Sequence, residues 1–245
     1  MLAEVIYRLA ADGMRLLMKH FSAHLFLALP WLFPLAAVAQ NPYRVAGDHY
    51  RLILENRWVR ATRVTYAPGE TAPVHDHPKA AALIYIYLTD AGIMRFRHFQ
   101  GDAPPHVIDR APVKAGSIRI SEGGREIHSV EYLGNLPSEY IILELRTSGE
   151  TIAGKRLPPM PLDPGQSAAK VQFENREVRV VRVSCAAGKG CPDSGHPNDP
   201  NVVVVLTGPH KGDVEWSPAR MEGPMEQIRF ELKDLPAGPG PGNSR

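Results

Sequence analysis

From Tyr50 onward apolar and polar residues alternate in short runs separated by turn residues. The runs are Arg60–Tyr66, Leu83–Leu88, Met94–Phe99, Ser117–Ser121, Glu126–Tyr132 and Tyr140–Arg146. Alternation with period two is what a strand with one buried face produces, and no stretch sustains a helical period. The pattern predicts an all-β chain, a sandwich or barrel of short strands. Around 149–168 the text becomes GETIAGKRLPPMPLDPGQSA, which reads as a linker. The end from Pro236, PAGPGPGNSR, reads as a disordered tail.

Past the linker the alternation repeats itself. Residues 173–183, FENREVRVVRV, lie on 54–64, LENRWVRATRV, and over 171–197 there are 12 identities in 27 gap-free positions at an offset of 119. Near the end EQIRFELK at 226–233 lies on EYIILELR at 139–146 at an offset of only 87. The chain therefore contains a duplicated domain whose second copy has lost a hairpin or more from its middle. The boundaries are 44–148 for the first copy and 169–235 for the second.

Composition narrows the class. With 44% apolar and 22% charged residues the chain is globular, and 23 Pro with 21 Gly suits many turns. A formal charge of +2 with both signs interspersed excludes the basic stripe of a nucleic-acid binder. Residues 18–39, MKHFSAHLFLALPWLFPLAAVA, carry Lys19, an apolar run from Leu25 to Val38 and an Ala37-Val38-Ala39 cleavage site. The run is short for a membrane span and is broken by Pro30 and Pro34. It reads as a secretory signal over 1–39, so the mature chain is expected in the periplasm or outside the cell, with no stable membrane insertion. Residues 1–17 sit oddly before such a signal and point to Met14 or Met18 as the true start. Export permits Cys185 and Cys191 to pair, since C-x5-C matches no common zinc spacing; two buried free thiols are the alternative.

The candidate chemistry is a set of histidines. PGETAPVHDHP places His75 and His77 two apart on one strand, so both imidazoles point to the same face. His128 lies in GGREIHSVEY on another strand. Three neutral imidazoles converging in a barrel can hold one divalent transition metal and leave positions open for water or substrate.

Gly69-x5-His75-x-His77, followed by Gly116-x5-Glu122-x-Gly124-x3-His128, resembles the paired motifs of the cupin superfamily. The resemblance covers about residues 48–147 fully and 170–235 partially. It implies a bicupin, two double-stranded β-helix (jelly-roll) barrels with the second incomplete. It also implies a metal centre of Fe, Mn, Zn, Ni or Cu on His75, His77 and His128. The chain departs from the motifs where it matters. The motif glutamate falls at Ala81 or Ala82, the second-motif proline is Glu122, one residue is inserted before His128, and the usual asparagine is Tyr132. A site of three histidines and no carboxylate resembles the three-histidine iron cupins, and equally fits zinc.

Two residues on the His128 strand share its face. Glu126 could replace the missing carboxylate or act as a general base, and Tyr132 could hydrogen-bond a ligand; a solvated turn position is the other reading of Glu126. His98 reads as core or rim, and Tyr85 and Tyr87 as a packed strand face. In the second copy Ser194 stands where His75 does, His196 stands alone, and His210 lies in a turn. That half is expected to be structural, or to lid or dimerise the first. Two functions follow: an exported metal-dependent oxygenase or isomerase acting on a small molecule, or a binding module for metal or small ligand without turnover.

Overall fold

The computed structural model describes residues 41–80, 82–146, 154–192, 200–218, 223–233 and 235. The signal segment, the C-terminal tail, residues 149–153 of the linker, and the loop with Ser194 and His196 lie outside the described residues. Among the described residues no helix is long and apolar enough to cross a membrane.

Among these residues one helical turn, α1 (Pro42–Val45), precedes fifteen strands. In the first copy the strands are β1 (Tyr50–Glu55), β2 (Val59–Tyr66), β3 (Thr71–His77), β4 (Ala82–Tyr87), β5 (Met94–His98), β6 (His106–Arg110), β7 (Ile118–Glu122), β8 (Glu126–Tyr132) and β9 (Ser138–Leu145). Then come β10 (Lys155–Leu157), β11 (Ala168–Glu174), β12 (Val178–Cys185), β13 (Asn201–Val205), β14 (Val214–Trp216) and β15 (Met225–Leu232). The first copy forms two antiparallel sheets, ordered β1-β2-β9-β4-β7-β10 and β3-β8-β5-β6. The chain crosses repeatedly between them, as in a jelly roll. The second copy forms one sheet, β11-β12-β15-β13-β14.

The duplication is visible in the register. Val59 lies opposite Leu145 and Tyr66 opposite Ser138; at the equivalent positions Val178 lies opposite Leu232 and Cys185 opposite Met225. A bulge between Leu52 and Leu54 recurs between Val171 and Phe173. The ion pairs recur too, Arg60–Glu144 as Arg179–Glu231 and Arg63–Glu139 as Arg182–Glu226. Strands β11, β12, β15, β13 and β14 thus repeat β1, β2, β9, β4 and β7. Among the described residues, what the second copy lacks is the counterpart of the whole four-stranded sheet.

The missing sheet decides the packing. Each strand of the six-stranded sheet sends alternate residues to opposite faces. Tyr66, Tyr85, Tyr87 and Tyr140 face the interior of the first copy and form one core with Phe96 and Val130. Ile84, Ile86, Ile120 and Leu143 face the other way and form a second core with Val180, Val204, Ile228 and Phe230 of the second copy. Covered on both faces, β4 is buried at all six positions, which is why its sequence, ALIYIY, carries no charged residue.

Two details extend the sequence reading. Lys155–Leu157, within the segment read as linker, pairs with Leu157 opposite Ile118 and lengthens the six-stranded sheet. Cys185 and Cys191 form a disulfide with Cα atoms 4.6 Å apart. It spans the turn after β12 at Gly188, whose φ of +70° matches the +78° of Gly69 in the first copy and favours glycine at both.

Candidate metal centre

Strands β3 and β8 are neighbours in the four-stranded sheet. Their register sets His75 opposite His128 and His77 opposite Glu126. On the far side of β8, His98 lies opposite His128 and His106 opposite His98, so one row of four histidines crosses the sheet. A bulge between Ala72 and His75 interrupts β3 just before its first histidine.

The three motif histidines meet inside the first copy. Their ring centroids are 4.9 Å apart for His75–His77, 4.7 Å for His75–His128 and 5.1 Å for His77–His128. All three are buried, at 0%, 6% and 2% exposure for His75, His77 and His128, and each offers a ring nitrogen within 4.8 Å of the others. His75 Nδ1 lies 2.7 Å from the Pro73 carbonyl, which can only accept, so this nitrogen carries the proton. His75 Nε2 is then an acceptor, buried and without a hydrogen-bond partner. A buried lone pair left unused in a protein interior is costly unless something else takes it, and a divalent cation would.

Electrostatics keep the donors ready. Burial, then the charge of His128, lowers the His75 pKa to about 4. Burial, then His128 and His75, lowers that of His77 to about 3. Both rings are neutral at physiological pH, the form that binds metal.

Glu126 is drawn into the cluster and is not a solvated turn residue. Its Oε2 lies 3.3 Å from His128 Nδ1, yet neither atom has a hydrogen bond of acceptable geometry. The two are placed as donors facing a common space. Burial alone would raise the Glu126 pKa, but the His128 contact and charge, with Arg110 beyond them, bring it down to about 2. His98, Glu126 and His128 form a second donor group within 4.8 Å, sharing His128 with the first. A carboxylate thus stands beside the triad from β8, while Ala82, one of the two motif glutamate positions, packs in the other core. His98, expected in the core or at its rim, stands with its ring 5.4 Å from that of His128.

Tyr132 is inward-facing, but its hydroxyl donates to the Leu136 carbonyl at 2.6 Å and accepts from the Gly92 amide at 3.1 Å. With its proton committed to the main chain, it is not placed to donate to a ligand. In the second copy His210 is exposed and lies 3.2 Å from Asp213. Sequence reasoning misses Arg110, whose guanidinium lies 3.7 Å over the Phe96 ring and 5.2 Å over that of Tyr85. The usable signal is parity at Arg119, an arginine set inward between the outward Ile118 and Ile120.

The four-stranded sheet of the first copy thus carries both motif strands, with the first-motif histidines on β3 beside the second-motif histidine on β8. The fold is a cupin jelly roll. Solved structures similar to this chain include the oxalate decarboxylase of Bacillus subtilis, described with Mn(II) centres, at 12% identity and a TM-score of 0.48 over 77% of this chain and 76% of that one. A bacterial pirin from Escherichia coli, in complex with nickel(II), is similar at 11% identity and a TM-score of 0.48 over 73% and 83%. A cupin domain from Bordetella pertussis aligns at 15% identity and a TM-score of 0.33, covering 40% of this chain and 92% of its own. Likenesses this distant carry nothing about the chemistry of the site, which rests on this chain's own residues. No family model matches the sequence. No curated protein is similar to it at a significant level.

Proposed function

We propose that this cupin is a metal-dependent enzyme, an oxygenase or isomerase acting on a small molecule, with one divalent transition metal on His75, His77 and His128. The observation that carries it is the buried, partnerless Nε2 of His75 within a cluster whose donor nitrogens on His77 and His128 lie within 4.8 Å. The donor set of neutral imidazoles suits a first-row divalent cation. Bound there, the metal would supply Lewis acidity and, if iron or copper, redox capacity.

The chain's own groups do the rest. Tyr50 packs against the triad at 5.0 Å from His75 and 5.8 Å from His77, and Phe96 at 5.3 Å from His128, excluding water from that side. Glu126, ionised at neutral pH, holds an acceptor oxygen beside His128 and can accept a hydrogen bond from a bound molecule. The same carboxylate favours the second reading, a binding module whose metal is closed off by a fourth ligand. The exported address belongs to this proposal and rests on the 18–39 signal, with the Cys185–Cys191 disulfide in support.

The test is elemental analysis of the full chain purified without chelators, followed by oxygen uptake against small-molecule panels. One metal per chain, lost in His77→Ala, is expected. A folded wild-type chain that takes up no divalent transition metal would refute the proposal. Metal without turnover would leave the binding module.

A further inference from the structure

Three arginines gather beside Tyr85 and Tyr87 in the first copy, and none is among the candidate metal ligands. Arg119 on β7 lies beside Tyr85 in register and shares its inward face. On its other side Arg156 of β10 is its direct register partner. Like charges set opposite each other on neighbouring strands destabilise a sheet, yet the three-residue β10 puts one arginine against another. Arg110 stacks over Phe96 and Tyr85 behind them. Burial, and then the charge of Arg110, pushes the Arg119 guanidinium below its ordinary range.

These cations form no salt bridge with a described residue, although Arg110 lies close enough to Glu126 for the two charges to interact. Arg60, Arg95, Arg97 and Arg125 are each ion-paired. By contrast, none of Arg110, Arg119 and Arg156 forms an ion pair with any described residue. Arg119 and Arg156 line a cleft of about 760 Å³ whose wall also includes Lys155, His98 and Glu126. Glu126 is turned to His128, 3.3 Å away, and the cleft's other carboxylate, Glu122, pairs with neither arginine. The cleft therefore has a cationic side and, against it, the wall that touches the metal centre. A space of this size is within the usual range for small-molecule sites and exceeds a bare inorganic ion.

We propose that this cleft binds a small organic anion, its carboxylate or phosphate group held by Arg119 and Arg156 with Arg110 behind, and its other end against His98 and Glu126. Guanidinium groups match such oxyanions with paired N–H donors, and the anion relieves the repulsion that the free site carries. This names the substrate class of the enzyme proposed above. It rests on that reading for the reactive end alone, since the anion site needs no metal.

The test is calorimetric titration of the full chain, metal-free and zinc-loaded, with inorganic phosphate and with succinate. At least one should bind saturably, which also tells phosphate from carboxylate recognition. Arg119→Gln and Arg156→Gln should each weaken it by about tenfold or more, the loss of a charged hydrogen-bonding partner, and Arg95→Gln should not. Denaturant midpoints of the free Arg119→Gln and Arg156→Gln proteins should equal or exceed the wild type, because repulsion is removed. No saturable binding of either anion, unchanged affinity in both variants, or a clear fall in both midpoints overturns the proposal. His77→Ala should lose metal and keep the anion. A wild type that binds anion but no metal removes only the metal reading, and one that binds metal but neither anion removes only this one.

Discussion

Arg63 and Arg182 hold equivalent positions in the two copies, and each donates to a main-chain carbonyl of the other copy. Arg63 reaches Lys211 at 3.3 Å, and Arg182 reaches Gly116. Each also keeps its own carboxylate, Glu139 at 2.7 Å and Glu226 at 2.9 Å. The exchange needs room, which glycine provides: a Cβ at Gly212 would stand 1.9 Å from an Arg63 nitrogen. Arg182 is 1% exposed. Arg182→Ala should therefore lower unfolding free energy by about 2–4 kcal/mol, because it strands buried acceptors. Chemical denaturation measures it, and metal content should not change.

Metal stoichiometry should be one per chain and should follow the first copy. His128→Ala removes the residue shared by both donor groups and should abolish most binding. His210→Ala, at an exposed residue paired with Asp213, should leave stoichiometry as it was. Elemental analysis of the purified variants checks both.

Glu126→Gln separates the role of the carboxylate from that of the imidazoles. Removing the negative charge beside His128 should weaken metal retention by about tenfold, comparable to the loss of other groups that support a metal ligand. Competition with a chromophoric chelator reads the change. Unchanged affinity would leave Glu126 as a hydrogen-bond acceptor only.

Acid should destabilise the metal-free protein. His75 and His77 titrate near 4 and 3 in the fold, against an ordinary value near 6.5 when unfolded. Below 6.5 the unfolded chain binds more protons, so stability present above that value is lost as pH falls toward 4 and 3. Between pH 6.5 and 5 the loss is on the order of 2 kcal/mol per histidine. Thermal melts at pH 7 and pH 5 test this, and added metal should protect at both.

Replacing both Cys185 and Cys191 with serine should cost about 2 kcal/mol, the chain-entropy value for a short closed loop. Metal binding should survive, because the disulfide lies in a core cluster of the second copy with Val183 and Met225. Denaturation with and without reductant gives the number.

Much of this was legible in the sequence, for definite reasons. The offsets of the duplication returned as register, Val59 with Leu145 and Val178 with Leu232, because period-two side chains penalise any slip. Parity placed His75 and His77 on one face, and the structure brings both to His128. Less was legible where a partner is distant in sequence. Nothing near Glu126 announces that it will face His77 across β3 and β8. Tyr132 had the right face, but its hydroxyl partners, Gly92 and Leu136, arrive from loops. The short KRL strand was hidden among prolines and glycines, and with it the pairing of Arg156 with Arg119.

The five-stranded sheet of the second copy has a consequence for behaviour in dilute solution. It covers Ile84, Ile86 and Leu143 of the first copy in the way a separate subunit would, but it is carried by the same chain. Mass action cannot strip it away. The melting temperature of the first copy should therefore be the same at nanomolar and at micromolar protein.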